Sequence, residues 1–376
     1  MMRLSSAPER KPPKSTSVST FGGIFISARG DLKARIVLLY TLLLVLNAGA
    51  WSWAILAFRH MPALLGISLL VYGLGLRHAV DADHIAAIDN VTRKLMQDGQ
   101  RPVAVGFWFA MGHSAIVVLV ATLVMGATSL LGRFESLRAI GGTISTSVSA
   151  IFLFAIATMN IIIFCSIYKS YRRVRSGGTY DEENIDLLLS GRGLISRMLR
   201  PLFRLVARSS HMFMLGLLFG LGFDTATEIA MFSMSARQIS AGVPFGAILV
   251  LPALFAAGMA LVDTTDGVVM LGAYKWAFVK PIRKLYYNMT ITLISVCIAI
   301  LIGGIETLGL IGNKFELNGA PWRWVAELNS NFNNLGFAVI GVFVFAWMLS
   351  YIVYRARRLD DLVVEVPARQ SWNLLE

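Results

Sequence analysis

The sequence predicts an all-α polytopic membrane protein with eight transmembrane helices and both termini in the cytoplasm. Three observations carry that reading. The 376 residues are 56% apolar and only 15% charged, with a mean hydropathy of +0.66. A soluble domain carries about 25% charge, so this chain has too little to coat its surface in water. Apolar runs of about 20 residues, the length that crosses a bilayer, recur eight times. The basic residues gather on alternate sides of those runs.

Along the chain the runs fall near 36–57, 62–88, 103–126, 139–167, 211–234, 245–270, 287–310 and 335–354. Residues 1–35, with "KPPKSTS" near their start, read as a flexible cytoplasmic tail, and not as a signal peptide, because the following run is span-length and lacks a small-residue cleavage site. The second run is interrupted by "RHAVDADHIAAIDN". It is expected to stay helical, since no proline or glycine occurs between Arg77 and Lys94. In the sixth run Pro252 removes one backbone hydrogen bond and is expected to bend the helix. The transporter domain then covers 36–354, with a cytoplasmic loop at 168–210 and a cytoplasmic C-terminal tail at 355–376. Within that loop "LISRMLRPLFRLV" fits a segment lying on the inner membrane surface and equally a charged linker. The loop at 311–334 is polar and fits an outer cap.

Of the 34 Lys and Arg, 27 fall in the tails and loops on the side of the termini, 6 fall in the alternate loops, and Arg77 lies inside a span. Positive charge is retained on the cytoplasmic side, which sets the orientation. Trp322 and Trp324 then sit outside, and Tyr274, Trp276, Tyr286 and Tyr287 at inner span ends. The same distribution argues against nucleic acid as the partner of the +12 net charge, because a phosphate-tracking surface needs bases spread along a soluble face. Glycine shows no period of three, and the two cysteines, Cys165 and Cys297, cannot build a disulfide scaffold.

Function is expected where ionisable groups enter the bilayer. His78, Asp81, Asp83 and His84 lie in the second run, His113 in the third, Asp224 and Glu228 in the fifth, Asp263 and Asp266 in the sixth. An ionised group at mid-bilayer costs at least about 2.5–3.5 kcal/mol, so such groups face a cavity or one another. Helical spacing puts Arg77, Asp81, His84 and Ile88 on one stripe, pairs Asp224 with Glu228 at i, i+4, and pairs Asp263 with Asp266 at i, i+3. So many acids in one bundle need an offsetting positive charge, and a divalent cation meets that need. Imidazole with carboxylate suits nickel, cobalt, iron or zinc better than sodium or potassium. Arg77 fits a structural counter-ion, since guanidinium cannot ligate a cation. Purely structural roles are available to each group: an interhelical hydrogen bond for His113, a polar network for Asp224, Glu228 and their threonines, a solvated helix end for Asp89 and Asn90. Glu306 is assigned no role.

At this point the motifs become recognisable. "RHAVDADHIAAIDNVTRK" at 77–94 resembles the span-two signature of the nickel/cobalt transporter family, the NiCoT permeases. "FWFAMGHSAIVV" at 107–118, "LGFDTATEI" at 221–229 and "LFAAGMALVDTTDG" at 254–267 resemble its other motifs, in order. The resemblance implies eight spans with cytoplasmic termini, a multi-pass protein of a prokaryotic cytoplasmic (inner) membrane, and Ni2+ or Co2+ as the transported substrate with no resident cofactor. It carries metal recognition to His78, Asp81, Asp83 and His84. The neighbouring polar motifs fall on His113 and Ser114, on Asp224, Thr225 and Glu228, and on Asp263, Thr264 and Asp266. It links selectivity to Asn47 and Val80. It implies high-affinity import that supplies trace metal to enzymes such as urease or hydrogenase.

The expected mechanism follows. A hydrated ion enters from outside and sheds water at His78, Asp81 and His84, helped by His113, while the remaining carboxylates ligate, orient the histidines or carry a coupled ion. Ligation needs neutral imidazole, so uptake should fall at acid pH. Inward movement of each positive charge gains about 2.3 kcal/mol per 100 mV of inside-negative potential. No "GxxxxGK[ST]" loop is present, so no nucleotide partner is expected. A membrane metalloenzyme of the histidine-box type needs more than the 5 histidines here and their paired spacing. An exporter of the same fold is the other alternative. Oligomeric state, and preference between nickel and cobalt, are open.

Overall fold

The computed structural model describes residues 32–126, 131–175, 206–222, 225–277 and 281–356. The described residues are helical apart from short connections. In chain order the helices are α1 (Leu32–Phe58), α2 (Pro62–His78), α3 (Ala82–Gln97), α4 (Val105–Gly126) and α5 (Leu131–Arg175). After a 3-10 turn at Ser209–His211 come α6 (Met212–Gly220), α7 (Ala226–Ser240), α8 (Phe245–Ile248), α9 (Val250–Ala277), α10 (Pro281–Lys314), α11 (Ala320–Ser330) and α12 (Phe332–Ala356).

Among the described residues, five spans are long and apolar enough to cross a membrane: α1, α4, α5, α8 with α9, and α10. The number rises to seven if the bent pairs α2/α3 and α11/α12 each count as one. The fold is thus an all-α polytopic membrane protein with five to seven candidate spans. The tails at 1–31 and 357–376, and most of the loop at 168–210, lie outside the described residues. So do the side chains of Tyr274, Trp276, Tyr286 and Tyr287, whereas Trp322 and Trp324 stand on α11.

Two expected continuous spans are broken. The second run divides at Ala79–Asp81, with α2 and α3 inclined by 52°. Asp81 is extended (φ −63°, ψ 144°) and ends the helical path despite the absence of proline or glycine. Tertiary packing overrides local propensity here: Gly336 of α12 is seated on the Val80 carbonyl, where any Cβ would overlap it. The stripe from Arg77 to Ile88 therefore does not exist as one helical face. The fifth run divides too, between Gly220 and Ala226. Thr225 caps α7 by accepting from the Glu228 N–H. Glu228 stands in the first turn of α7, and Asp224, its expected i, i+4 partner, lies outside the described residues. At Pro252 the helix is interrupted at Leu249 between α8 and α9, one residue past Ile248, the carbonyl its missing N–H would have served, while the two pieces still form one span.

The helix α9 is central, packing against α1, α2, α3 and α4, while α5 packs along α10 and α4 along α6. Close approach depends on small residues. Gly112 of α4 sits against the Phe213 carbonyl, Gly216 of α6 against the Phe109 carbonyl, and Gly106 against the Asp263 carbonyl. The helix α3 runs on to Gln97, beyond the expected membrane exit at Ile88. Asp89 and Asn90 are fully buried there rather than solvated. Asp89 accepts from Ser295 at 2.8 Å, and Asn90 accepts from both Arg93 at 2.8 Å and Asn160 at 2.7 Å. Leu95, Ile88 and Phe109 pack beside this polar layer in one apolar core.

Candidate metal site

Both helix breaks face the same place. The end of α2 brings in His78, the start of α3 brings Asp83 and His84, α4 brings His113, and the start of α7 brings Glu228. Asp83 and Glu228 each occupy a first helical turn, where the partial positive charge of the helix N-terminus favours a carboxylate. His78 ends α2, at the opposite, negative pole of a half-helix.

His78, His84 and His113 are 2%, 1% and 3% exposed. Each offers a ring nitrogen, and the three atoms lie within 4.8 Å of one another. The rings are arranged pairwise at centroid distances of 4.8, 5.0 and 5.0 Å. Nε2 of His78 and Nε2 of His113 are 3.1 Å apart, and Glu228 Oε1 stands 3.1 Å from the latter and 3.8 Å from the former. Glu228 is itself held by the Thr225 hydroxyl, which donates to Oε2 at 2.7 Å.

Two carboxylates address the far sides of the rings. Asp81 Oδ2 is 2.9 Å from His78 Nδ1, which also lies 3.2 Å from the Thr227 hydroxyl. Asp263 Oδ1 of α9 is 3.3 Å from His84 Nδ1. In both rings this leaves Nε2 for another partner, the arrangement by which carboxylates fix the tautomer and direction of ligating histidines. Asp83 accepts the backbone N–H of His84 at 2.9 Å, bracing the start of α3.

These groups form the floor of a cavity of about 830 Å³. His78, Asp81, Asp83, His84, His113 and Glu228 all line it. The other expected residues are placed elsewhere. Asp263 is fully buried behind His84, and Asp266 lies one helical turn further along α9. Arg77 is exposed at the end of α2 and does not line the cavity. Val80 belongs to the break itself. Asn47 is separate from the cluster: it donates to the carbonyls of Leu43 and Ala257 and accepts from Tyr72 at 3.0 Å. Sequence reasoning gave Thr227 only a place in a structural polar network and assigned no role to Glu306, which bonds Ser149 on the cavity wall. Thr227 stood inside the quoted "LGFDTATEI", and Glu306 was visible as an acid inside an apolar run.

Chemically, three imidazoles with carboxylates beside and behind them form a nitrogen-rich site for a borderline divalent ion. Magnesium or calcium would take an oxygen cage.

The family described as "High-affinity nickel-transport protein" matches residues 64–353. A high-affinity nickel transport protein of Cupriavidus necator is 56% identical over 340 residues, covering 90% of this chain and 97% of that protein. The nickel-transport protein NixA of Helicobacter pylori (strain 26695) is 40% identical over 312 residues, 82% of this chain and 94% of that protein. The cobalt transport protein NhlF of Rhodococcus rhodochrous is 40% identical over 288 residues, 76% and 81% of the two chains. No solved structure matches.

Proposed function

The chain belongs to the nickel/cobalt transporter family, and from that premise we propose that it imports Ni2+, Co2+ or both across the cytoplasmic membrane by secondary transport. The family is one of transporters and not of enzymes, so the ion is cargo rather than a resident cofactor. One observation supports the site above the others: three buried imidazoles, from α2, α3 and α4, present ring nitrogens within 4.8 Å of one another on a cavity floor.

In this reading the ion exchanges water for His78, His84 and His113, with Glu228 as the neighbouring carboxylate. Asp81 and Asp263 act through the rings of His78 and His84. Asp83 steadies the start of α3, and Asp224 and Asp266 serve the onward path. Arg77 balances charge, and Asn47 and Val80 tune selectivity by setting how α1, α2 and α12 meet the break. The chain crosses the membrane eight times, α6 with α7 adding one broken span to the seven. Both termini are then cytoplasmic, as are residues 1–35, the loop at 168–210 and residues 355–376, and the membrane is a prokaryotic inner one.

The test is accumulation of radiolabelled nickel at nanomolar concentration, with cobalt as competitor. Cells carrying the chain are compared with cells carrying His78→Ala at equal membrane abundance. Uptake that vanishes in the variant is the expected result. Background counts in both cells would remove the import reading and leave export as the next candidate.

A further inference from the structure

Above the histidine floor the cavity continues between α5 and α10 to a rim that includes Asn313, Lys314 and Asn329. Its two walls differ in chemistry. The α5 wall is hydroxyl-rich, with Thr143, Ser145, Thr146, Ser147 and Ser149 all lining the space. The α10 wall contributes one carboxylate, Glu306, which is 4% exposed. Deeper along the same two helices the contact is apolar, built from Leu153, Ile298, Ala299 and Ile302. Ser149 donates to Glu306 Oε1 at 2.8 Å. A carboxylate inside a bilayer-spanning helix is expensive, and facing this cavity relieves the expense.

We propose that Glu306, with Ser149 and the α5 hydroxyls, forms an outer capture site for a hydrated divalent cation, distinct from the histidine cluster below it. The proposal deepens the import reading and rests on it. Six waters occupy about 180 Å³ at about 30 Å³ each, so a cavity of about 830 Å³ admits the ion with its shell intact. A carboxylate and hydroxyls bind such an ion through its waters, and a negative charge in a low-dielectric cleft raises the local cation concentration. Among the described lining residues there are four acids, Asp81, Asp83, Glu228 and Glu306, against one Lys or Arg, Lys314 at the rim. Glu306 is the one acid among the described lining residues that stands apart from the imidazoles. It therefore meets the ion before dehydration.

A carboxylate that only ties α5 to α10 would be replaced without loss by an amide, which still accepts from Ser149. Capture needs the charge. Nickel uptake is therefore measured against concentration and ionic strength in cells carrying the intact chain, Glu306→Gln, Glu306→Asp and His78→Ala, at equal membrane abundance. The expected result for E306Q is a KM about tenfold higher, equivalent to about 1.4 kcal/mol, with Vmax within about twofold and a weaker rise of KM with salt. E306D should recover most of the affinity, and His78→Ala should lose uptake at every concentration. An E306Q variant with unchanged KM and unchanged salt response overturns the proposal, as does a loss confined to Vmax. Should E306Q fail to reach the membrane, Lys314→Gln at the exposed rim takes its place. Removing that opposing charge should lower KM about two- to threefold, and no change or a rise overturns the proposal. Absence of uptake by the intact chain would instead remove the import reading, so the two failures are distinct.

Discussion

His84 and Asp263 are separated by 179 positions yet stand 3.3 Å apart, the carboxylate reaching Nδ1 and leaving Nε2 of the ring for another partner. An orienting carboxylate of this kind typically changes metal affinity 10–100-fold when lost. Asp263→Asn is therefore expected to raise the KM for nickel by about one to two orders of magnitude while protein still accumulates in the membrane. A concentration series of uptake checks it, and an unchanged KM would reduce Asp263 to a packing role. A second residue-scale expectation concerns Asn90, whose Oδ1 accepts from two buried donors, Arg93 and Asn160. Asn90→Ala leaves both without that acceptor, at about 1–3 kcal/mol each for a buried group. Thermal unfolding in detergent should show a clear loss of stability. The positions of these residues were legible as polar letters in apolar runs. Their partners were not, because hydropathy carries no information about contacts 70 or 179 residues away.

At the scale of the element, the broken second span is the decisive feature. Local propensity argued for a continuous helix through 77–94, and the chain breaks at Ala79–Asp81 instead. The interruption is sustained by a neighbour: Gly336 of α12 lets the helix approach the Val80 carbonyl so closely that no Cβ fits. Gly336→Ala must push α12 away from the break. Overpacking of this kind costs about 1–3 kcal/mol, so a lower unfolding temperature is expected together with reduced nickel uptake, because the same contact positions His78 and His84. An alanine variant with unaltered stability and uptake would show that the break holds itself. The interruption at Leu249, near Pro252, has a cause readable from sequence, since one N–H is missing within the same span. The break at Val80 was not, since its cause lies 256 residues downstream.

On the scale of the whole molecule, the question is how many crossings the helices make. Among the described residues five are long and apolar enough singly, and seven with the bent pairs. The charge distribution and the broken α6/α7 segment favour eight. With Cys165 and Cys297 replaced by serine, an impermeant thiol reagent on intact cells should label Asn318→Cys, between α10 and α11, and leave Ser190→Cys, in the loop at 168–210, unlabelled. Labelling of both, or of the second alone, would overturn the orientation.

The sequence by itself determined the class of this protein. Sparse charge, long apolar runs and the bias of Lys and Arg are additive properties of composition, and bilayer thickness translates them directly into spans. It also placed the family motifs in order, because each is local. Only the tertiary structure decided that His78, His84 and His113 converge, that Asp81 and Asp263 stand behind their rings, and that Glu306 faces the same cavity as the histidines. Convergence depends on where helices break and which faces meet. Those outcomes are set by contacts between distant segments, such as Gly336 on Val80 and Gly106 on Asp263, whose energies no single stretch of sequence contains.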